Sequence, residues 1–500
     1  PNFYDLSGSL TIRDNGDLND VDLSSMPCLD DFTIVGNNMT VEDLHALLLQ
    51  LSCDEGGSEV IFRSSDAEAL CADGVDVVVD NLYVYAIDPE PLDLSCIVDI
   101  TGQLEIELSS SPIINLSRAA GVGDSVYIHD NYDTEEIWLD VVASTGGSFS
   151  LSGNVDLDVI RLDALEGIGG QFSMSSNSSL DTLSLASLLV VEGSVNFNSN
   201  NGLQTVDMPN LSAIEGQLRV EWHNNFRELF VPNLVELSGE LYLYYNYALD
   251  TVDLSSLTEI GSNLYVYNTY ELETLNLSSL QTVNGSFTVY SANRMSTFNL
   301  PELVEINGNF SLSNNGQIDE FASPKLEDLS GSLTIRDNAD LQTVDLSSLE
   351  CIDDFTIVGN DLTIDSHHAL LVALTCSDDG TLMIFRASDA DDFCATGETV
   401  VGNLYVSPID TGPVDLSCIT EVTGEIEMEY AKSSSIDLSG LLTIGERLNI
   451  HDNYETEGMD FSSLESIGGG FSLNSNRDLS DLKVDALESV DGPLSMSSNS

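Results

Sequence analysis

Glycine returns along this chain at a fixed interval. Gly147, Gly170, Gly193, Gly216 and Gly239 stand 23 residues apart, and the beat resumes at Gly285, Gly308 and Gly331 after a double step across Ser262, which has Gly261 beside it. Asparagine keeps the same period at Asn154, Asn177, Asn200, Asn246, Asn315 and Asn338. A short fixed period marks an array whose units stack along one axis. Between glycine and asparagine lies an alternating run, as in Gln217-Leu218-Arg219-Val220, Glu240-Leu241-Tyr242-Leu243 and Asn263-Leu264-Tyr265-Val266. Such alternation reads as a half-buried strand. From Leu249 to Ile260 apolar residues then recur every two or three positions. That spacing suits two further short strands and misses the i, i+3, i+4, i+7 pattern of a helix.

One coil is therefore strand, turn, strand, turn, strand. Stacked coils pair each strand in parallel with its copies about 4.8 Å away. The expected fold is mostly β: a right-handed parallel β-solenoid of about 23-residue coils with short helical inserts. Leu, Ile and Val fill interior ladders. The turn asparagine is expected to bond neighbouring backbone and to take left-handed geometry. The glycine relieves crowding at a tight corner.

A larger duplication lies above the coil. Leu6-Ser7-Gly8-Ser9-Leu10-Thr11-Ile12-Arg13-Asp14-Asn15 recurs as Leu329-Ser330-Gly331-Ser332-Leu333-Thr334-Ile335-Arg336-Asp337-Asn338, and His129-Asp130-Asn131-Tyr132 recurs as His451-Asp452-Asn453-Tyr454. The offset is 323 residues early and 322 after a deletion near Asp80, close to 14 coils of 23. An integral number of coils lets a solenoid carry the duplication in register. The match runs to both ends and the chain starts at Pro1, so a longer array continuing beyond both ends is expected. Each copy carries one irregular segment. Thr40-Val41-Glu42-Asp43 and Thr363-Ile364-Asp365-Ser366 look like helix starts ahead of apolar runs, a helix of about ten residues. A short strand Val60-Ile61-Phe62-Arg63 and a turn to Cys71 should follow. The organisation read from this is coils over 1–37, a disulfide-pinned helical insert over 38–73, continuous solenoid over 74–360, a second insert over 361–396 and coils over 397–500.

The charge is extreme: 84 acidic residues against 14 basic ones, for a net −70. Nucleic acid is excluded as a partner, since binding it needs clustered Lys and Arg. The regular apolar spacing excludes the disorder that such acidity otherwise signals. No run of 18 apolar residues occurs, so no membrane span is expected. The eight cysteines Cys28, Cys53, Cys71, Cys96, Cys351, Cys376, Cys394 and Cys418 form two groups of four without a C-x-x-C pair. Two disulfides per group in an oxidising compartment are expected, with three pairings open in each.

The run Leu257-Thr258-Glu259-Ile260-Gly261-Ser262-Asn263-Leu264-Tyr265-Val266-Tyr267-Asn268 resembles the receptor L-domain family, including the fungal GPI-anchored cell-wall proteins that carry it. Leucine-rich repeats share the L-x-L-x-x-N core but lack the glycine-containing spacing before it. The resemblance covers most of the chain. It implies a leucine-rich-repeat-related β-solenoid, and roles as a receptor or as a wall protein alike.

Alternation places Tyr242, Tyr244, Tyr265, Tyr267 and Tyr290 on the outer face of successive coils, with Trp222, Tyr245, Tyr247 and Tyr270 at the turns nearby. Such a strip is a candidate surface for a glycan or another protein, or else a stabilising aromatic ladder. It lies in the cysteine-free stretch 97–350, once per long repeat. In other coils the outer positions Ser150, Ser152, Ser173, Ser175, Asn196, Asn198, Ser311 and Ser313 read as solvated surface. The acidic clusters Asp14, Asp17, Asp20, Asp22 and Asp130, Asp133, Glu135, Glu136 lack the spacing of a calcium loop. No specific metal site is expected, only diffuse attraction for Ca2+ and other cations. Asn38, Asn115, Asn177, Asn210, Asn276, Asn284 and Asn309 head N-x-S/T sequons and are candidate glycosylation sites.

No Ser-His-Asp order or nucleophile elbow is present, and the six histidines, His129 and His451 among them, read as structural. The chain is expected not to be an enzyme and to need no cofactor. The expected function is an extracellular, cell-surface structural repeat protein that forms or decorates a filament, stalk or surface layer. Its partners would be copies of itself or other extracellular proteins. The alternative is a receptor-like or adhesin module binding a glycan or protein through the aromatic strip.

Overall fold

The computed structural model describes residues 10–13, 21, 23, 32–35, 47, 58–352, 354–376 and 381–499. The chain divides into two compact units. Unit 1 comprises Pro1–Gly331 with Asp345–Ser348, and unit 2 comprises Ser332–Val344 with Leu349–Ser500. Each is a β-solenoid of parallel strands.

In unit 1 a typical coil opens with the strand Leu241–Tyr244, continues with Thr251–Asp253 and closes with Glu259–Ile260. The next coil repeats this as Leu264–Tyr267, Thr274–Asn276 and Thr282–Val283. Leu241 faces Leu264, Thr251 faces Thr274 and Glu259 faces Thr282. Leu218, Leu241 and Leu264 pair in series, and all three are fully buried, as are Val220, Leu243 and Val266. Burying each such side chain stabilises the fold by about 1.5–3 kcal/mol. In unit 2, Leu333–Arg336 pairs with Phe355–Val358. A six-stranded sheet runs there from Leu382–Ile384 through Leu404–Val406, Ile426–Glu429, Leu448–His451 and Phe471–Asn474 to Leu494–Ser497.

A second ladder, of carboxamides, runs inside the aliphatic one. Asn131, Asn154, Asn177 and Asn200 are completely buried. The Asn177 Nδ2 donates to the Leu151 carbonyl at 2.9 Å and to Asn200 Oδ1 at 2.9 Å, while its own Oδ1 accepts the Asn154 backbone N–H at 3.2 Å. Each amide thus satisfies two backbone groups of the coil before it and bonds the amide of the coil after it, which no aliphatic side chain could do.

The left-handed corner belongs to a different residue from the one expected. It is the residue just before the buried ladder position: Ser176, Ser199, Trp222, Tyr245, Asn268 and Ser291, which precede Asn177, Asn200, His223, Asn246, Thr269 and Ala292, have φ between 52° and 62°. The left-handed residue turns the chain so that its successor points inward. Most coils place a carboxamide at that inward position, while His223, Thr269 and Ala292 take it in three of these. The corner glycines behave as the period implies. A Cβ on Gly239 would lie 2.7 Å from the Gly216 carbonyl carbon and 2.7 Å from the Gln217 nitrogen of the coil below. No side chain fits there.

Three helices are described: α1 (Ser64–Leu70), α2 (Ile364–Leu374) and α3 (Ala387–Thr396). The second insert forms its expected helix, α2, whose cap Thr363 accepts the Ser366 N–H at 3.1 Å. The matching helix expected after Thr40 lies outside the described residues. The turn expected before Cys71 is instead α1, and its copy is α3. The Asp66 carboxylate accepts the Phe62 and Arg63 N–H groups at 3.0 and 2.9 Å, and Asp389 does the same for Phe385 and Arg386 at 2.9 Å each. An acidic residue at the third helical position caps both helices, a start signal present in the sequence. The strands before them, Glu59–Ile61 and Leu382–Ile384, pair with Leu82–Val84 and Leu404–Val406. The strands of both inserts are therefore part of the ladder.

Three disulfides join Cys71 to Cys96, Cys351 to Cys376 and Cys394 to Cys418. Cys28 and Cys53 lie outside the described residues. Bridges of this kind form in oxidising surroundings. No described helix is long and apolar enough to cross a membrane.

Candidate functional site

The register of unit 1 assembles the aromatic strip. Tyr242 pairs with Tyr265 and Tyr244 with Tyr267 across one ladder step, and Tyr267 pairs with Tyr290 across the next. Ring centroids are 6.1, 6.2 and 5.8 Å apart in these three pairs. The turn residues extend it sideways. Tyr244 meets Tyr245 at 4.3 Å, Tyr245 meets Tyr247 at 5.9 Å, and Tyr247 stacks on Tyr270 at 6.1 Å. Trp222 and Tyr245 stack nearly parallel, with centroids 4.5 Å apart and planes 6° apart. At one edge the Arg219 guanidinium lies 4.2 Å above the Tyr242 ring, held by Glu221 at 2.9 Å. Each contact of this kind is worth about 0.5–1.5 kcal/mol. Tyr242, Tyr244, Tyr265 and Tyr267 on the sheet are half-buried, whereas Tyr290 and Trp222 are exposed.

Trp222 and Tyr245 both occupy the left-handed corner, with φ of 62° and 52°. For residues with a Cβ that conformation costs about 1–2 kcal/mol. Most other coils place Ser, Asp, Asn or Gly there, as at Asp130, Gly153, Ser176 and Asn314. Two bulky aromatics are thus held at a costly position on an exposed surface. Strain of this kind points toward function.

A second cluster was not foreseen. On the outer face of unit 1, Glu105 and Glu107 lie two residues apart on one strand and His129 faces Glu107 on the next. His129 Nε2 is 3.6 Å from Glu105 Oε1, and its Nδ1 is 4.0 Å from Glu107 Oε1 and 3.5 Å from Asp130 Oδ2. Glu105 beside it raises the imidazole above its ordinary pKa. Unit 2 carries the same three residue types, with both glutamates nearest the histidine Nε2. His451 Nε2 is 3.1 Å from Glu427 Oε1 and 3.7 Å from Glu429 Oε2, with Asp452 Oδ2 3.1 Å from Nδ1. The hydrogen bond that His451 donates to Glu427 pushes the imidazole up to about 9, and the imidazolium holds Glu427 below the usual carboxylate range. Burial raises Glu429, which accepts the Tyr405 hydroxyl at 2.7 Å. A groove of about 440 Å³, lined by Tyr405, Glu427, Glu429 and Met383 among others, opens beside this copy. The sequence signal was a Glu-x-Glu on the outer face with a histidine one coil later.

The other expected site residues are dispersed. Asp130, Asp133, Glu135 and Glu136 do not converge: Asp130 accepts the Tyr132 hydroxyl at 3.1 Å and Glu136 the Trp138 indole N–H at 2.7 Å. Asp14, Asp17, Asp20 and Asp22 lie outside the described residues. Among the sequons, Asn210, Asn284 and Asn309 are exposed, and Asn115 and Asn276 are partly so. Asn38 lies outside the described residues. Asn177 is removed from the candidates, because its amide is fully buried in the carboxamide ladder. Of the outer polar residues, Ser313 is buried to 8% exposure and bonds Ser311 at 3.1 Å.

Among known proteins, no family model and no curated sequence matches the chain.

Proposed function

We propose that this is an extracellular structural repeat protein that forms or decorates a filament, stalk or surface layer and makes its contacts through the aromatic strip. The observation that carries this reading is the Trp222–Tyr245 stack, with both residues at positive φ. Most corners outside the strip carry Ser, Asp, Asn or Gly, with Leu108 and Tyr430 as exceptions, and the stacked pair of neighbouring aromatic corners occurs at Trp222 and Tyr245. Three disulfides support a site of action outside the cell, and the resemblance to cell-wall L-domain proteins points the same way. The partner on this reading is a second copy of the chain. Aromatic surface is the attractive term between two bodies of net charge −70, once salt screens the rest.

Sedimentation velocity in seawater-like salt tests this, comparing the wild type with the double variant Tyr244→Ala plus Tyr267→Ala. Larger species in the wild type and monomer in the variant are expected. Identical profiles would reject the strip as the self-contact. Recognition of a glycan is the second reading, favoured by the 44% exposure of Trp222. A glycan array bound by the wild type and not by Trp222→Ala would select it.

A further inference from the structure

We propose that Glu105, Glu107 and His129 form a binding site for a divalent transition-metal cation of the Zn2+ and Co2+ class, and that Glu427, Glu429 and His451 form its copy. The geometry of the donors carries the first site. One ligand atom from each of Glu105, Glu107 and His129 lies within 4.8 Å of the other two. Two donors bound to one such cation at about 2.1 Å sit roughly 3.3 Å apart, so His129 Nε2 and Glu105 Oε1, at 3.6 Å, need only a small closing movement. In the copy, the two distances from His451 Nε2, 3.1 and 3.7 Å, bracket that value.

Three further features separate this cluster from a chance meeting of acidic residues. The imidazole nitrogen is a ligand that Ca2+ and Mg2+ do not favour, whereas mixed imidazole and carboxylate sets suit Zn2+ and its neighbours. Each histidine has a carboxylate on its far side, Asp130 or Asp452, at Nδ1, and that carboxylate in turn accepts a tyrosine hydroxyl, from Tyr132 at 3.1 Å or Tyr454 at 2.8 Å. An acid behind the imidazole fixes the ring and aims Nε2, the usual outer support of a metal-bound histidine. The duplication also keeps all three donors while replacing residues around them: Gln103 becomes Glu425, Ser125 becomes Arg447, and Tyr127, which lies beside Glu105 in the ladder, becomes Asn449.

The parallel ladder holds the donors on two adjacent strands, so a bound cation would clamp one coil to the next and cancel local negative charge. Cobalt reports on this directly. The full chain is titrated with Co2+ in high salt with excess Mg2+, which saturates diffuse binding to the acidic surface. Two Co2+ per chain with a visible ligand-field band, displaced by Zn2+, are expected. The variant His129→Gln should lose half of that band, and His129→Gln with His451→Gln all of it. Unchanged circular dichroism in both variants shows that the fold persists. No band in the wild type, or the same band in the double variant, overturns the proposal and leaves the histidines as ion-pair partners of their glutamates.

Discussion

The side-chain amide of Asn200 lies 3.4 Å from Nε2 of His223, at the one step of this ladder where an imidazole takes the place of a carboxamide. On its other side, His223 Nδ1 is 3.1 Å from Asn246 Oδ1. The neutral ring protonated on Nδ1 satisfies both neighbours, donating to Asn246 and accepting from Asn200. A second proton on Nε2 would face the Asn200 donor inside a dry core.

Burial accordingly lowers His223 from 6.5 to about 4. The unfolded chain therefore binds a proton more readily than the folded one between these values, and stability falls as pH drops through that window. The contribution is complete above pH 6.5 and lost below pH 4, about 3 kcal/mol in all. The variant His223→Asn should restore the ladder and remove this part of the pH dependence. Urea midpoints of both proteins from pH 7 to pH 4 check it, the expected result being a difference that grows on acidification.

Asn177→Ala should cost about 2–4 kcal/mol, since it strands the Leu151 carbonyl and the Asn154 N–H in the interior. Denaturant melts of the variant measure this. Glycopeptide mass spectrometry of secreted protein should also find Asn177 bare, because modification needs an accessible amide.

Two glycines separate crowding from backbone conformation. Gly74→Ala meets open space at a φ of 62°, so its cost should be the left-handed penalty of about 1 kcal/mol. Gly239→Ala places its Cβ against the backbone of the coil below and should cost clearly more. Equal midpoints for the two variants would contradict the tight packing of that corner.

Salt should stabilise the fold. With a net charge of −70, about −3 per coil, and a coil rise of about 4.8 Å, the linear charge density approaches that of duplex DNA. Self-repulsion falls as ionic strength rises. Thermal melts in low salt with chelator should therefore lie below those at seawater ionic strength, and identical melts would count against this electrostatic account.

Much of the architecture was legible because it depends on neighbours along the chain. The alternation in Glu240-Leu241-Tyr242-Leu243 decides which side chains face inward, and Leu241 and Leu243 are fully buried as that pattern requires. The 23-residue period decides which residues stack, so the pairing of Tyr242 with Tyr265 follows from counting. The helices α1 and α3 were missed through an overlooked signal, the acid three residues after Arg63 and Arg386.

Other features were decided only by the folded chain. Which corner residue turns left-handed, and which of three cysteine pairings forms, depend on backbone direction, and composition and spacing do not encode it. The meeting of Glu105, Glu107 and His129 needs a register of 22 residues between their strands where most coils step by 23, and a one-residue slip would turn the histidine inward. Local pattern determined the strands and the core. Register between coils determined the sites, because side chains far apart in sequence come within bonding distance only after every intervening turn has closed.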